Sequence, residues 1–110
     1  MCLFCSIINH EIPTTPVYED AEYLVINDIH PKARVHMLLI PKRHIESIAQ
    51  MEDTDSNLIA GLVLLARDLG NRMNIPRYRL EFNVGKMIAG HTGENEGQEV
   101  MHVHLHFLAN

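Results

Sequence analysis

Near its carboxyl end the chain reads His102-Val103-His104-Leu105-His106-Phe107, a strict alternation of imidazole and apolar side chain. Successive side chains of an extended backbone leave on opposite faces. The run therefore predicts a strand with three histidines on one face and Val103, Leu105 and Phe107 in a core on the other. A slip of one residue would bury the imidazoles and expose the hydrophobes, so the pattern fixes the register. On a regular strand the imidazoles stand about 6.6 Å apart, on a face expected to open onto a pocket.

The remaining pattern supplies a sheet for this strand. Residues 17–19 and 23–28 flank a hairpin turn at Asp20-Ala21-Glu22, and residues 35–40 form a strand that stops at Pro41. Residues 79–84 and 101–108 complete a set of five strands. Between them, residues 55–73 carry Leu58, Leu62, Leu65 and Leu69 at helical spacing, with Asp53, Thr54 or Asp55 to cap the start and Pro76 beyond the end. This one long helix is expected to lie as a lid on one sheet face. Pro13-Thr14-Thr15-Pro16 reads as a loop, and so does the segment holding Gly85, Gly90, Gly93 and Gly97. Mostly hairpin-linked strands around one helix predict an α+β fold with a mainly antiparallel sheet. At 110 residues the chain is expected to form one domain, 1–110.

Three imidazoles in a row suit two chemistries. One ring can attack phosphorus while its neighbours bind phosphoryl oxygens or move a proton. Alternatively, His-x-His can place two rings on a zinc ion, although the full row is too long for all three to reach one tetrahedral centre. Nine basic against 14 acidic residues, net charge −5, argue against a broad nucleic-acid binder. They leave room for a small phosphate ligand. No apolar run reaches the roughly 18–20 residues of a membrane span, so no membrane partner is expected. Met1-Cys2-Leu3-Phe4-Cys5 has no basic leader, which gives a cytoplasmic expectation. In that compartment the Cys-x-x-Cys reads as thiols or metal ligands in preference to a disulfide.

The chain resembles the histidine-triad superfamily, and within it the small histidine-triad nucleotide-binding proteins. The resemblance is carried by Gly97-Gln98-Glu99-Val100-Met101 leading into His102-Val103-His104-Leu105-His106. Further along it are Cys2-Leu3-Phe4-Cys5-Ser6-Ile7-Ile8, Glu11-Ile12-Pro13, Asn27-Asp28-Ile29 and the run His36-Met37-Leu38-Leu39-Ile40-Pro41-Lys42-Arg43-His44. It implies a five-stranded sheet with one long helix and a short amino-terminal helix. The implied activity is cleavage of purine nucleoside phosphoramidates or related adenylates through a nucleotidyl-histidine intermediate. The alternative is a nucleotide-binding or partner-binding module with little turnover.

By position in the family motif, His104 is the nucleophile, His106 a contact to the α-phosphate, His36 a polar partner, and His102 the first triad member. Asp28 matches the acceptor of the ribose hydroxyls and Asn83 the asparagine at the phosphate end. Ile7, Ile12, Ile26 and Ile29 match the apolar walls around the base, and Asn27, Gln98 and Glu99 complete the expected substrate-binding set. The resemblance also implies a structural zinc on Cys2, Cys5, His44 and His102, no cofactor for catalysis, and a homodimer whose two sheets join. The implied ligand is a purine nucleoside monophosphate type of small molecule.

Three features depart from the family pattern. Glu99 stands where a serine is usual, the segment from Gly85 to Gly97 with His91, Glu94 and Glu96 is longer, and the chain ends at Asn110 without the usual extension. His10 and His30 are expected in loops or on the surface. Lys32, Arg34, Lys42 and Arg43 are expected at solvated strand ends.

Overall fold

The computed structural model describes residues 2–86 and 97–110, so His91, Glu94 and Glu96 of the long loop lie outside the described residues. The elements run α1 (Leu3–Ile8), β1 (Tyr18–Glu19), β2 (Tyr23–Asn27), β3 (Val35–Pro41), α2 (Ser56–Arg72), β4 (Arg79–Glu81) and β5 (Leu105–Ala109). The five strands form one antiparallel sheet in the order β1-β2-β3-β5-β4. This is the expected α+β architecture.

The local chemistry explains the elements. At the first hairpin, Asp20 Oδ1 accepts from the backbone N–H groups of Glu22 and Tyr23, each at 2.8 Å, which closes the turn. Helix α2 begins after a turn of 3-10 helix at Asp53–Asp55. The cap works one turn earlier than expected: the N–H of Glu52 donates to Asp55 Oδ2 at 2.8 Å. Asp55 is also paired with Arg43, which ties the helix start to the segment following β3.

The sheet is apolar on both faces. Leu62, Leu65, Ala66 and Leu69 of α2 pack on Val25, Met37, Leu39, Leu105 and Phe107. Tyr78 stacks on Phe107 with ring centroids 4.4 Å apart and also lies against Gly70, where a Cβ would come within 2.9 Å of its ring. Phe4 of α1 packs on Leu24, Ile26, Leu38 and Ile40 from the opposite side. That second face is therefore half hydrocarbon and half imidazole, with His36 and His106 continuing it along β3 and β5. Among the described residues no helix is long and apolar enough to cross a membrane.

One expectation changes materially. The last strand starts at Leu105, not Met101, so His102 and His104 precede it. The N–H of Val103 donates to Ile45 O at 2.7 Å and that of His102 to Val100 O at 2.9 Å, so this stretch bonds outside the sheet ladder. The row of evenly spaced, open imidazoles is accordingly replaced. His102 is fully buried, His104 is 6% exposed, and the His104 and His106 rings sit only 4.9 Å apart. Strand 79–84 is also shorter than expected, which leaves Asn83 in the turn beyond β4.

Candidate active site and metal centre

The sheet register assembles the histidines. His36 on β3 pairs across from Leu108 and Leu38 from His106, so His36 and His106 are diagonal neighbours on one face of adjacent strands. His36 Nε2 lies 2.8 Å from His106 Nδ1 and 3.5 Å from Asp28 Oδ2. Asp28 follows β2, the next strand over. Its Oδ1 accepts from the N–H of His30 at 2.8 Å.

Hydrogen-bond partners fix the proton on each ring. The backbone N–H of Lys32 points at His36 Nδ1 at 3.1 Å, so that nitrogen accepts and Nε2 carries the hydrogen. His36 then donates to His106 Nδ1, which leaves the hydrogen of His106 on Nε2. Asn83 Nδ2 lies 3.4 Å from that Nε2, so the contact is a hydrogen bond when the amide presents its oxygen. His104 Nδ1 lies 2.7 Å from the carbonyl oxygen of His102, which can only accept. The hydrogen of His104 is therefore on Nδ1, and Nε2 keeps a free lone pair.

Burial favours the uncharged form of His104 and His106. It lowers the pKa of His104, against weaker opposite pulls from the bond to His102 and the carboxylates of Asp28 and Glu99. Burial also lowers His106, helped by repulsion from His104 and His36, to about 4. At neutral pH the site thus offers a lone pair at His104 and a neutral N–H donor at His106.

A second constellation lies beside it. His102 Nδ1 is 3.4 Å from Cys2 Sγ and 3.6 Å from Cys5 Sγ, while His44 Nδ1 is 3.6 Å and 3.4 Å from the same sulfurs. The two Nδ1 atoms are 3.0 Å apart. A tetrahedral ion with ordinary zinc bond lengths needs about 3.6 Å between nitrogen and sulfur and about 3.3 Å between nitrogens. His102 Nε2–H donates to Pro41 O at 2.7 Å, which orients the ring and leaves Nδ1 free to ligate. The donor set and its spacing fit such an ion.

Asp28, His36 and His106 also bring three ligand atoms within 4.8 Å of one another. That group fits a cation poorly, because the hydrogen of His36 Nε2 is held inward by the Lys32 contact at Nδ1.

Several expected substrate contacts are placed elsewhere. The amide of Gln98 is committed to backbone: Nε2 donates to Glu46 O and Val100 O, and Oε1 accepts from the Gly85 N–H. With both hydrogens committed, Gln98 is a clamp at the neck of the long loop, and its expected contact to substrate is corrected. Ile26 is core, packed with Phe4 and Leu38. Ile29 is 84% exposed. Ile7 and Ile12 line a cleft of about 430 Å³, with His10, Leu24, Glu19 and the segment Pro13 to Pro16. Asn27 and Glu99 are exposed.

Of the basic cluster, Lys32, Arg34 and Arg43 are exposed as expected, while Lys42 is half-buried and pairs with Glu19 at 2.8 Å. Three contributors were absent from the sequence reading. Phe4 meets the His104 ring edge-on at 5.0 Å, the Pro41 carbonyl holds His102, and the Lys32 amide sets the His36 tautomer. The last two act through backbone atoms, which leave no side-chain signature. Phe4 was detectable as the sheet-facing partner of Ile7 and Ile8 on a short amphipathic helix.

The chain is similar to known proteins over its whole length. A family profile described as "Scavenger mRNA decapping enzyme C-term binding" matches residues 1–110. The chain is 39% identical over 109 residues to an uncharacterized HIT-like protein of Methanocaldococcus jannaschii, covering 98% of this chain and 78% of that one. Among solved structures it is similar to a HIT family hydrolase from Legionella pneumophila Philadelphia 1. That match has TM-score 0.86 and 42% identity, and covers 100% of this chain and 93% of the other. It is also similar to a Zn-bound histidine triad family protein from Mycobacterium smegmatis, with TM-score 0.77 and 26% identity over 99% of this chain and 74% of that one.

Proposed function

The chain belongs to the histidine-triad family, and from that premise we propose that it is a nucleotide hydrolase or transferase acting on purine nucleoside phosphoramidates or related adenylates. The observation that carries the reading is the His104 ring: Nδ1–H is bound to a carbonyl, leaving a buried, uncharged Nε2 lone pair beside a neutral N–H donor. The hydrolase named in the Legionella structure supports the reaction class.

In this reading His104 Nε2 attacks the α-phosphorus in line. The Nε2–P bond forms as the P–N bond breaks, and the departing nitrogen takes up a proton from solvent. Water then attacks phosphorus and releases a proton to solvent, and the Nε2–P bond breaks with its electron pair returning to Nε2 as the nucleoside monophosphate leaves. His106 Nε2–H and the Asn83 amide hydrogen-bond non-bridging oxygens, where negative charge grows in the transition state. His36 and the Lys32 amide keep the His106 donor on the substrate side. Asp28 takes the ribose hydroxyls, and the cleft of Ile7 and Ile12 receives the base.

Zinc on Cys2, Cys5, His44 and His102 is part of the same proposal, supported by the ligand spacing and by the Zn-bound relative from Mycobacterium smegmatis. When bound it supplies a cross-link between the amino-terminal segment and the sheet, with no role at phosphorus. We assign the chain to the cytoplasm, where reducing conditions keep both cysteines as thiolate ligands. A homodimer through β4 is supported by its place at the sheet edge and by exposed Leu80 and Val84 nearby.

Rapid mixing with a labelled adenosine 5′-phosphoramidate in a single turnover tests the proposal. Protein-linked AMP that forms, decays to free AMP and is lost in His104→Ala supports the enzyme. AMP bound tightly with no adduct and no release of amine supports the binding-module reading, which the exposed carboxylate of Glu99 near His104 favours.

A further inference from the structure

His102 belongs to both constellations. Its ring faces Cys2, Cys5 and His44, while its backbone carbonyl accepts the Nδ1–H of His104 at 2.7 Å. The ring cannot turn independently of that carbonyl: it is fully buried, and its other nitrogen donates to Pro41 O at 2.7 Å. From the opposite side, Cys2 caps α1 and Cys5 lies within it. Phe4, between them, meets the edges of both the His102 ring at 6.0 Å and the His104 ring at 5.0 Å. One centre thus joins α1, the segment carrying His44 and the approach to β5, a single carbonyl away from the His104 imidazole.

We propose that Cys2, Cys5, His44 and His102 are positioning residues for His104, so that a metal ion held by them sets both the tautomer of His104 and the seat of Phe4 over its ring. Bound to one cation, two thiolates and two imidazoles become a single cross-link between these segments. With the ion removed, α1 keeps its apolar contacts and only weak thiol–imidazole hydrogen bonds. The His102 carbonyl and Phe4 then lose their common anchor, and His104 exchanges between tautomers. The role of His104 as nucleophile is the reading this rests on, but the coupling is observable without turnover.

The test uses the full ¹⁵N-labelled chain, loaded with zinc and then stripped by chelator, with metal content measured at each stage. Long-range ¹H–¹⁵N spectra of the imidazoles report the His104 tautomer directly. The loaded protein is expected to show His104 with hydrogen on Nδ1 alone. The stripped protein should show mixed tautomers and roughly tenfold weaker binding of AMP, both restored by zinc. A pure Nδ1–H tautomer and unchanged AMP affinity after proven zinc loss would overturn the proposal.

If the stripped chain unfolds, cadmium substitution keeps the centre filled with longer bonds to the same sulfurs. The His104 nitrogen resonances must then move, and resonances identical to those with zinc would overturn it. Failure of the nucleophile reading looks different: His104→Ala would still form protein-linked AMP, while the His104 tautomer of the unsubstituted chain would still depend on zinc.

Discussion

His104 donates its Nδ1–H to the backbone carbonyl of His102 at 2.7 Å, so the residue two positions before the imidazole decides which of its nitrogens is free to react. A carbonyl cannot exchange roles with a ring as another histidine could. The lone pair on Nε2 therefore follows from where the His102 backbone is held, with no substrate needed to set it.

Removing that ring has consequences for stability as well as for rate. An open imidazole could be cut back at little cost, but His104 is 6% exposed and covered by Phe4. His104→Ala is expected to lose all adduct formation and about 1–3 kcal/mol of stability, from the vacated space and the orphaned carbonyl. Rapid-quench assays and urea unfolding measure the two effects separately.

In the reaction, His106 is expected to act on rate far more than on substrate affinity. It supplies a neutral donor, and its partner His36 keeps that donor directed outward. His106→Ala should lower kcat by about 10²–10³-fold with a much smaller change in AMP affinity, the signature of a donor that matters most in the transition state. Single-turnover rates beside equilibrium binding check this.

Acid should unfold the protein through the same rings. In the folded state His106 is held neutral down to about 4, against an ordinary value of 6.5, while the unfolded chain takes up a proton near the ordinary value. This contribution is complete above about pH 6.5 and lost as pH falls towards 4, on the order of 3 kcal/mol for His106. His104 is shifted the same way. Urea unfolding at pH 7, 5.5 and 4.5 should show the decline, with a shallower slope in His106→Asn.

On the apolar side of the alternation, Val103 is 2% exposed. Val103→Asp is expected to cost more than about 4 kcal/mol, since it places a carboxylate in that buried position. Circular dichroism at 25 °C would show a largely unfolded chain.

Much of the architecture was legible because burial imposes periodicity. The leucines of α2 and the alternation in β5 each follow from one face meeting a core. The Cys2, Cys5, His44 and His102 set was legible only through the family resemblance, and the structure brings its four ligand atoms together. The unread parts depend on backbone atoms and on what covers what. Where β5 begins was decided by the N–H of Val103 bonding to Ile45, and no side chain announces that contact. Gln98 matches a substrate contact by sequence, yet its hydrogens are spent on the loop neck. Ile29 has the right chemistry for a base pocket and projects into solvent.

The stereochemical course at phosphorus tests the central claim most directly. An adenosine phosphoramidate made chiral at the α-phosphorus with sulfur is hydrolysed in ¹⁸O-labelled water, and the configuration of the product is read by ³¹P NMR. Attack by His104 followed by attack of water is two in-line displacements, so the account predicts net retention. Net inversion would mean a single displacement by water, with His104 acting only as a base, and would contradict it.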